Sequence, residues 1–516
     1  MILSGRTKIF SQFTSDDFKS DVKNLVTCIN SAMSTHSKNK TEINYLLDYH
    51  NGIQPILRKK NLNRPEINNI IVVNFAQMIT RTIVNYFIGT PIQYTQSGYS
   101  EDFDRVREEV DTLNQLLDYE DSSQVDLEIA KYQSICGTAY RIIVTNDDPD
   151  LPFEDRCLHP SNTFVVYEND ISAKPLIGVT YLPRLDDNGL ENGIIYQVFT
   201  DYGMYRFIGT DGKIEFVDDL TNGFEFVAYD VGGIPLIEYP NNNDRIGDWE
   251  LVLHLMDAIS NLYSNRLDDI EQVVQALLVF INAEIDSKTY DELRACGILS
   301  LVNATQQNKS EVFSITNPLD QSGVGATSKE LQELLFSLVG IPSRENRSNG
   351  GGDTGTAVEL RDGWADLENV VRSKEINFKK CEKYRLQIIT NILNKRLGFN
   401  LNVKDLVIKF TRNKNNNLLV KTQSLSNLLN TKTLDPSDCV QLVDLVTDVN
   451  DYSARGQQFW GDEYGGKMAQ QQMFIEDGGF ENEENGQQKE NGNSGQNEKQ
   501  EETSGNGKET KESKKK

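Results

Sequence analysis

This chain of 516 residues is poor in the groups that usually announce an active site or a cross-link. It has six cysteines and four histidines, and neither set clusters. Cys28, Cys136, Cys157, Cys296, Cys381 and Cys439 include no CxxC pair, which excludes a disulfide framework or zinc ribbon and predicts reduced thiols. His36, His50, His159 and His254 are as scattered, so a histidine metal site is not expected. Long apolar runs are missing too. The most apolar stretch, Ile67 to Tyr94, is interrupted by Asn74, Gln77, Arg81 and Asn85. A bilayer span needs about 20 mostly apolar residues, so this stretch predicts a buried helix. The opening MILSGRTKIF has neither a long apolar region nor a small-residue cleavage site, and no secretory signal is expected.

Positive charge is also in deficit, with 52 Lys and Arg against 77 Asp and Glu, a net charge of −25. The tail from Glu481 to Lys516 carries nine Glu and seven Lys, or −2, which leaves about −23 on the rest of the chain. Affinity for duplex DNA comes mainly from cations that displace condensed counterions. Such a chain should not grip DNA. Its acidity suits solubility, or a surface that DNA must slide past.

Catalytic motifs are absent. A phosphate-loop frame laid on Gly350 to Gly355 places Thr356 where the lysine belongs and Ala357 where the magnesium-binding hydroxyl belongs. A helical pattern, not a strand, precedes it. There is no GxGxxG opening a βαβ unit, no GxSxG and no HExxH. Asp147, Asp148 and Asp150 lack the EF-hand register and read as a solvated turn. No catalytic, cofactor-binding or metal-binding residue is expected.

What is there is an ordered series of elements. The first forty residues read as helical fragments, followed by a helical pattern over Thr41–His50. Asn68–Ile88 carries Ile71, Phe75, Ile79, Ile83 and Phe87 at helical spacing, stopped by Gly89 and Pro91. A charged helix is expected over Asp102–Tyr132. From Ala139 to Tyr239 the pattern turns to strands: Tyr140–Thr145, Thr163–Tyr167, Leu176–Tyr181, Ile194–Thr200, Met204–Ile208, Lys213–Val217 and Phe224–Tyr229, with Asp211-Gly212 as a hairpin signal. Ile246, Trp249, Val252, Met256, Ile259 and Tyr263 then trace a helix about 40 Å long. Between Pro240 and Asp286 there are nine acidic residues and two basic ones. A small mixed unit occupies Leu277–Asn317. A helix over Thr327–Val339 opens on a Thr327–Glu330 capping box, and a second box, Thr356–Glu359, opens a helix of about 60 Å ending at Gly398. Asp405–Thr411 reads as a strand, followed by helices at Asn417–Asn430 and Pro436–Asn450. Past Asp477 the Gly, Asn, Gln, Glu and Lys content predicts disorder.

In this order the chain resembles the portal proteins of long-tailed double-stranded DNA phages of Gram-positive bacteria. The resemblance rests on Asn69–Ile79 running into Phe87-Ile-Gly-Thr-Pro-Ile, and on Gly233-Ile-Pro-Leu-Ile-Glu-Tyr-Pro-Asn-Asn. It rests also on the succession of acidic helix, mixed unit, short helix, glycine loop with Gly355-Thr-Ala, and long helix. It covers roughly residues 41–470.

The resemblance implies an α+β multi-domain portal fold that assembles into a ring, twelve subunits in the virion. After an N-terminal segment (1–40), residues 41–244 and the long helix 357–397 would form a mixed α/β wing. Residues 245–272 and 327–340 would be the two stem helices, 273–326 a small α/β clip, 341–356 a tunnel loop, 398–470 an α-helical crown and 471–516 a disordered tail. DNA would pass a tunnel loop carrying Arg344, Asn346, Arg347, Asn349, Gly350, Gly351, Gly352 and Asp353, beside stem carboxylates Asp257, Asp268, Asp269 and Glu271. Implied partners are other copies of the chain, the terminase large subunit, a head-completion or adaptor protein, the major capsid and scaffolding proteins, and translocating DNA held without tight or sequence-specific binding. No cofactor and no membrane is implied. The implied location is the portal vertex of the capsid, with assembly in the host cytoplasm. Two other readings stay open: a different head–tail connector or minor head protein, and a nuclease built on some of the many carboxylates.

Overall fold

The structure is a computed structural model describing residues 5–61, 65–97, 103–148, 150–209, 214, 224–274, 277–281, 311–315, 321–342, 364–412, 418–431, 439–440 and 443. The expected Asp211-Gly212 turn, nearly all of the Lys213–Val217 strand, residues 282–310 of the small mixed unit, the glycine loop, the second capping box, most of Pro436–Asn450 and the tail lie outside the described residues.

Residues 5–20 are built into the fold rather than peripheral. Strand β1 (Ile9–Ser11) leads through a Thr14–Asp17 capping box into α1 (Ser15–Ser20) and then α2 (Val22–His50). Thr41–His50 is therefore the last third of one 29-residue helix, and the helical fragments expected before it are largely that same helix. Its buried Leu25, Ile29 and Ala32 cover a six-stranded sheet ordered β1-β5-β6-β7-β8-β9. The last five strands are β5 (Thr163–Glu168), β6 (Pro175–Leu185), β7 (Glu191–Phe199), β8 (Gly203–Gly209) and β9 (Phe224–Ala228). They form an antiparallel meander, while β1 joins β5 in parallel. Aromatic rings of Tyr196, Tyr205 and Phe207 line the face under α2. On the other face Phe199 and Val165 meet Tyr140, Ile142 and Leu236 of a three-stranded sheet. That sheet is β10-β3-β4, from β3 (Thr138–Thr145), β4 (Phe153–Leu158) and β10 (Leu236–Pro240).

The principal core gathers α3 (Phe75–Phe87), α4 (Phe103–Tyr119), α5 (Ser122–Cys136), α6 (Leu253–Val274), α7 (Gln321–Val339) and α8 (Trp364–Arg396) around the second sheet. Strand β2 (Gln93–Gln96) pairs with β13 (Leu406–Lys409), tying the turn after α3 to the chain after α8. Strands β11 (Leu277–Ile281) and β12 (Glu311–Ile315) form a separate antiparallel ladder, and α9 (Leu418–Thr431) follows β13.

Several helices are shorter than the apolar spacing suggested. The helix expected from Asn68 starts at Phe75, because Asn74 caps it by accepting from the Gln77 N–H. The charged helix breaks at Asp121, whose left-handed φ of 53° separates α4 from α5. Gly137 then ends α5 at φ 75°, with the Arg245 carbonyl 2.0 Å from where a Cβ would lie. The helix expected from Ile246 begins at Leu253, after a 3₁₀ turn over Glu250–Val252. Before it, the Asn241 and Asn242 amides donate to the Ile246 carbonyl and hold that residue in a turn. Helix α7 begins at Gln321, so Thr327 is an interior residue whose hydroxyl donates to the Gly323 carbonyl, not a cap.

A fully buried ionic network joins α5, β3, β4 and α8. Arg141 donates to Asp155 at 2.7 and 2.6 Å and to Asp126 at 2.6 Å. Arg385 reaches Asp155 at 2.6 Å and Glu382 at 2.5 Å. The hydroxyls of Tyr94 and Tyr239 donate to Glu382 at 2.7 and 2.9 Å, and Ser122 donates to Asp155. Burial pushes Asp126 up to about 6, while for Asp155 burial is outweighed by the two guanidiniums, which hold it down to about 2. Buried charges persist only when paired; these pairs fix how α8 crosses the second sheet.

Candidate functional site

Helix α6 carries the four acidic residues singled out for the stem. Its inward apolar residues Met256 and Ile259 are fully buried, and its polar face meets the extended segment Ile67–Asn74. Ser260, Ser264 and Asp268 recur every four residues, about 6 Å of helix rise. Val73, Ile71 and Asn69 recur every second residue of the extended segment, about 6.6 Å. The two spacings match, and the contacts are made one for one. The Val73 and Ile71 N–H groups donate to the Ser260 and Ser264 hydroxyls at 3.4 and 3.0 Å, and the Asn69 N–H donates to Asp268 at 2.6 Å. An extended segment that pairs with no strand among the described residues thus has its backbone donors met by helix side chains.

Asp268 ends this ladder and is buried at 7% exposure. Lys59 Nζ lies 2.6 Å from its second oxygen, and the Asn69 amide donates to Asp268 at 3.0 Å and to Glu271 at 2.7 Å. Burial alone would raise the Asp268 carboxyl; the Lys59 and Asn69 donors outweigh it and hold the group below the ordinary carboxylate range. Asp257 accepts from the Tyr49 hydroxyl at 2.9 Å, and Tyr49 stacks on Trp249 with ring centroids 5.6 Å apart. Asp269 is half-buried beside Asp268. Three of the four carboxylates therefore hold α6 to the body of the subunit.

Acidic residues just before α6 are engaged in the same way. Asp248 pairs with Lys374 at 2.6 Å, and Glu250 with Arg6 while its other oxygen accepts from the Gly247 N–H at 2.9 Å. Spacing could not reveal this, because the partners Lys59, Arg6 and Lys374 lie far away in sequence. Helix α7 is joined to α6 through Tyr263, whose hydroxyl accepts from Ser328 at 2.8 Å and Gln332 at 2.7 Å. Leu267, Ile270, Leu334 and Leu338 of the two helices remain exposed. The loop residues Arg344, Asn346, Arg347, Asn349, Gly350, Gly351, Gly352 and Asp353 lie outside the described residues, between the ends of α7 and α8. No group of three or more potential metal ligands is found among the described residues, and none of their helices is long and apolar enough to cross a membrane.

The phage portal protein family of the SPP1 Gp6-like type matches residues 32–464, well over half of the sequence. The chain belongs to that family. Among curated proteins, the portal protein of Bacillus phage SPP1 is 20% identical over 302 residues, covering 56% of each chain. The match thus spans little more than half the length of that relative. The family match begins inside α2, so β1, α1 and Arg6 lie ahead of it although they are integral to this portal-family fold.

Proposed function

We propose that this chain is a phage portal subunit: a ring of copies at one capsid vertex through which double-stranded DNA is packaged and later ejected. The observation that carries the reading is the family match over residues 32–464. The mixed α+β fold accords with it, as does the paired α6 and α7 with leucines and an isoleucine left exposed for neighbouring copies. The role is structural, with the energy for translocation supplied by a separate packaging ATPase docked on the ring. Within the subunit, α6 and α7 form the stem, the β11–β12 ladder belongs to the clip, and the 341–356 loop works against DNA in the channel. Head-completion, capsid and scaffolding proteins are the remaining partners, and the location is the capsid vertex.

The test is assembly of the purified full chain. Native mass spectrometry and negative-stain microscopy should show closed rings with a central channel. A strict monomer over a wide concentration range would overturn the reading. Shortening Ser348–Asp353 should leave rings intact and reduce packaging.

A further inference from the structure

Two exposed helix faces of opposite charge stand out from the rest of this acidic surface. On α8, Arg372, Ile376, Lys380 and Lys383 follow one another at helical spacing on the side away from the core, all exposed. Ile376 is 71% exposed at the centre of this basic stripe. Lys380 and Lys383 make no ion pair among the described residues, while Arg372 pairs with Glu368 of the same helix at 3.4 Å with its own side chain 71% exposed. On α4, Asp104, Glu108, Asp111 and Asp118 occupy the exposed face at the same kind of spacing. The stripe ends on Tyr119, which is 76% exposed. Arg372 to Lys383 spans about 16 Å of helix and Asp104 to Tyr119 about 22 Å, so the basic stripe fits within the length of the acidic one.

We propose that the basic α8 stripe of one copy docks on the acidic α4 stripe of the next, with Ile376 and Tyr119 as the apolar contacts between the charged pairs. This rests on the ring reading above and names one contact that builds the ring. Charge complementarity selects the occupant: the stripes are opposite in sign, each carries one apolar residue, and the basic one fits within the length of the acidic one. The stripes are different surfaces of one chain, so their contact is head-to-tail, and head-to-tail contacts close into rings when the rotation permits. DNA fits the basic stripe less well, because a backbone-binding track has no use for an isoleucine at its centre. An acidic chain also needs a device that sets neighbours in register, since its general charge keeps copies apart.

Charge reversal on the full-length chain tests this. K380E/K383E and E108K/D111K should each lower the ring population in native mass spectrometry at least tenfold at about 0.15 M salt, where screening acts over about 8 Å. A chain carrying all four changes should assemble again. Mixing the two reversed chains should give alternating rings with even subunit numbers only. Ile376→Ser, which changes no charge, should weaken assembly several-fold. Circular dichroism should match that of the unaltered chain, since every changed side chain is exposed. The proposal fails if either reversal assembles like the unaltered chain, or if the four-change chain is folded yet stays apart. Normal rings with reduced retention of duplex DNA by K380E/K383E would also overturn it and assign the stripe to DNA. If the unaltered chain forms no ring, it is the portal reading itself that falls.

Discussion

Asn69 and Asp268, 199 residues apart in sequence, are joined twice, by the Asn69 backbone N–H at 2.6 Å and its side-chain amide at 3.0 Å to the same carboxylate oxygen. The pair closes the ladder along α6 and brings Lys59 within 2.6 Å of the other oxygen. It makes Asp268 the clasp between a helix proposed to line a channel and the segment that leads into α3.

Replacing Asp268 by alanine strands one lysine and two amide donors. Hydrogen bonds to a charged group contribute about 1.5–3 kcal/mol, so D268A should lower the urea midpoint by an amount equivalent to about 2 kcal/mol at unchanged slope. Asp269→Ala, without such contacts, should stay within about 0.5 kcal/mol. Equal losses from the two variants would show that the ladder does not hold α6.

Asp269 is then the cleaner probe of the proposed channel. Asp269→Lys should raise retention of duplex DNA by assembled rings, with the increase vanishing as salt rises. Lysine at 268 or 271 would disturb the clasp at the same time, so a change there would not report on the bore. A filter-retention series at rising salt, across the range of about 0.05 to 0.3 M in which the Debye length shortens through about 10 and 8 Å, decides it. Unchanged retention places Asp269 away from DNA.

How much of this was legible in the sequence follows from which side chains face inward. Strands with apolar inward residues, such as Val179 and Val198, announce themselves by their β-branched and aromatic content. Strand β4 does not, because its inward Asp155 is fully buried to serve Arg141 and Arg385. Helix α8 was recognisable from Leu367, Val371, Phe378 and Ile388, yet its buried Lys374, Glu382 and Arg385 read as surface positions. The acidity around α6 was plain in the sequence. Its engagement with Arg6, Lys59 and Lys374 was not, because pairing across such separations is a property of the fold.

The buried network predicts an acid-side dependence with two opposite components. Asp126, raised from 3.8 to about 6 by burial, favours the folded state when protonated. Its contribution is complete below pH 3.8 and is lost as pH rises through about 6. Asp155, held down to about 2, contributes above 3.8 and loses that contribution as pH falls through 2. Asp126→Asn should therefore flatten the decline in stability between pH 4 and 6 while leaving the loss below pH 4. Urea midpoints taken at half-unit steps measure both arms. An unaltered slope between pH 4 and 6 would show that Asp126 is not the titrating group.

Arg6 supplies the last prediction, and it separates what the family match covers from what this fold requires. The guanidinium is buried at 3% exposure, donates to the Cys136 carbonyl at 3.1 Å, pairs with Glu250, and lies 3.1 Å from Glu42. It therefore ties the end of α5 to the turn that starts α6. Arg6→Met keeps most of the volume but leaves Glu250 buried without its cation, a change that costs about 3–5 kcal/mol in comparable buried pairs. The double variant Arg6→Met with Glu250→Gln removes both charges and should recover much of that loss. If the single and double variants melt together, the pair is not what holds the residues ahead of the family match to the base of α6.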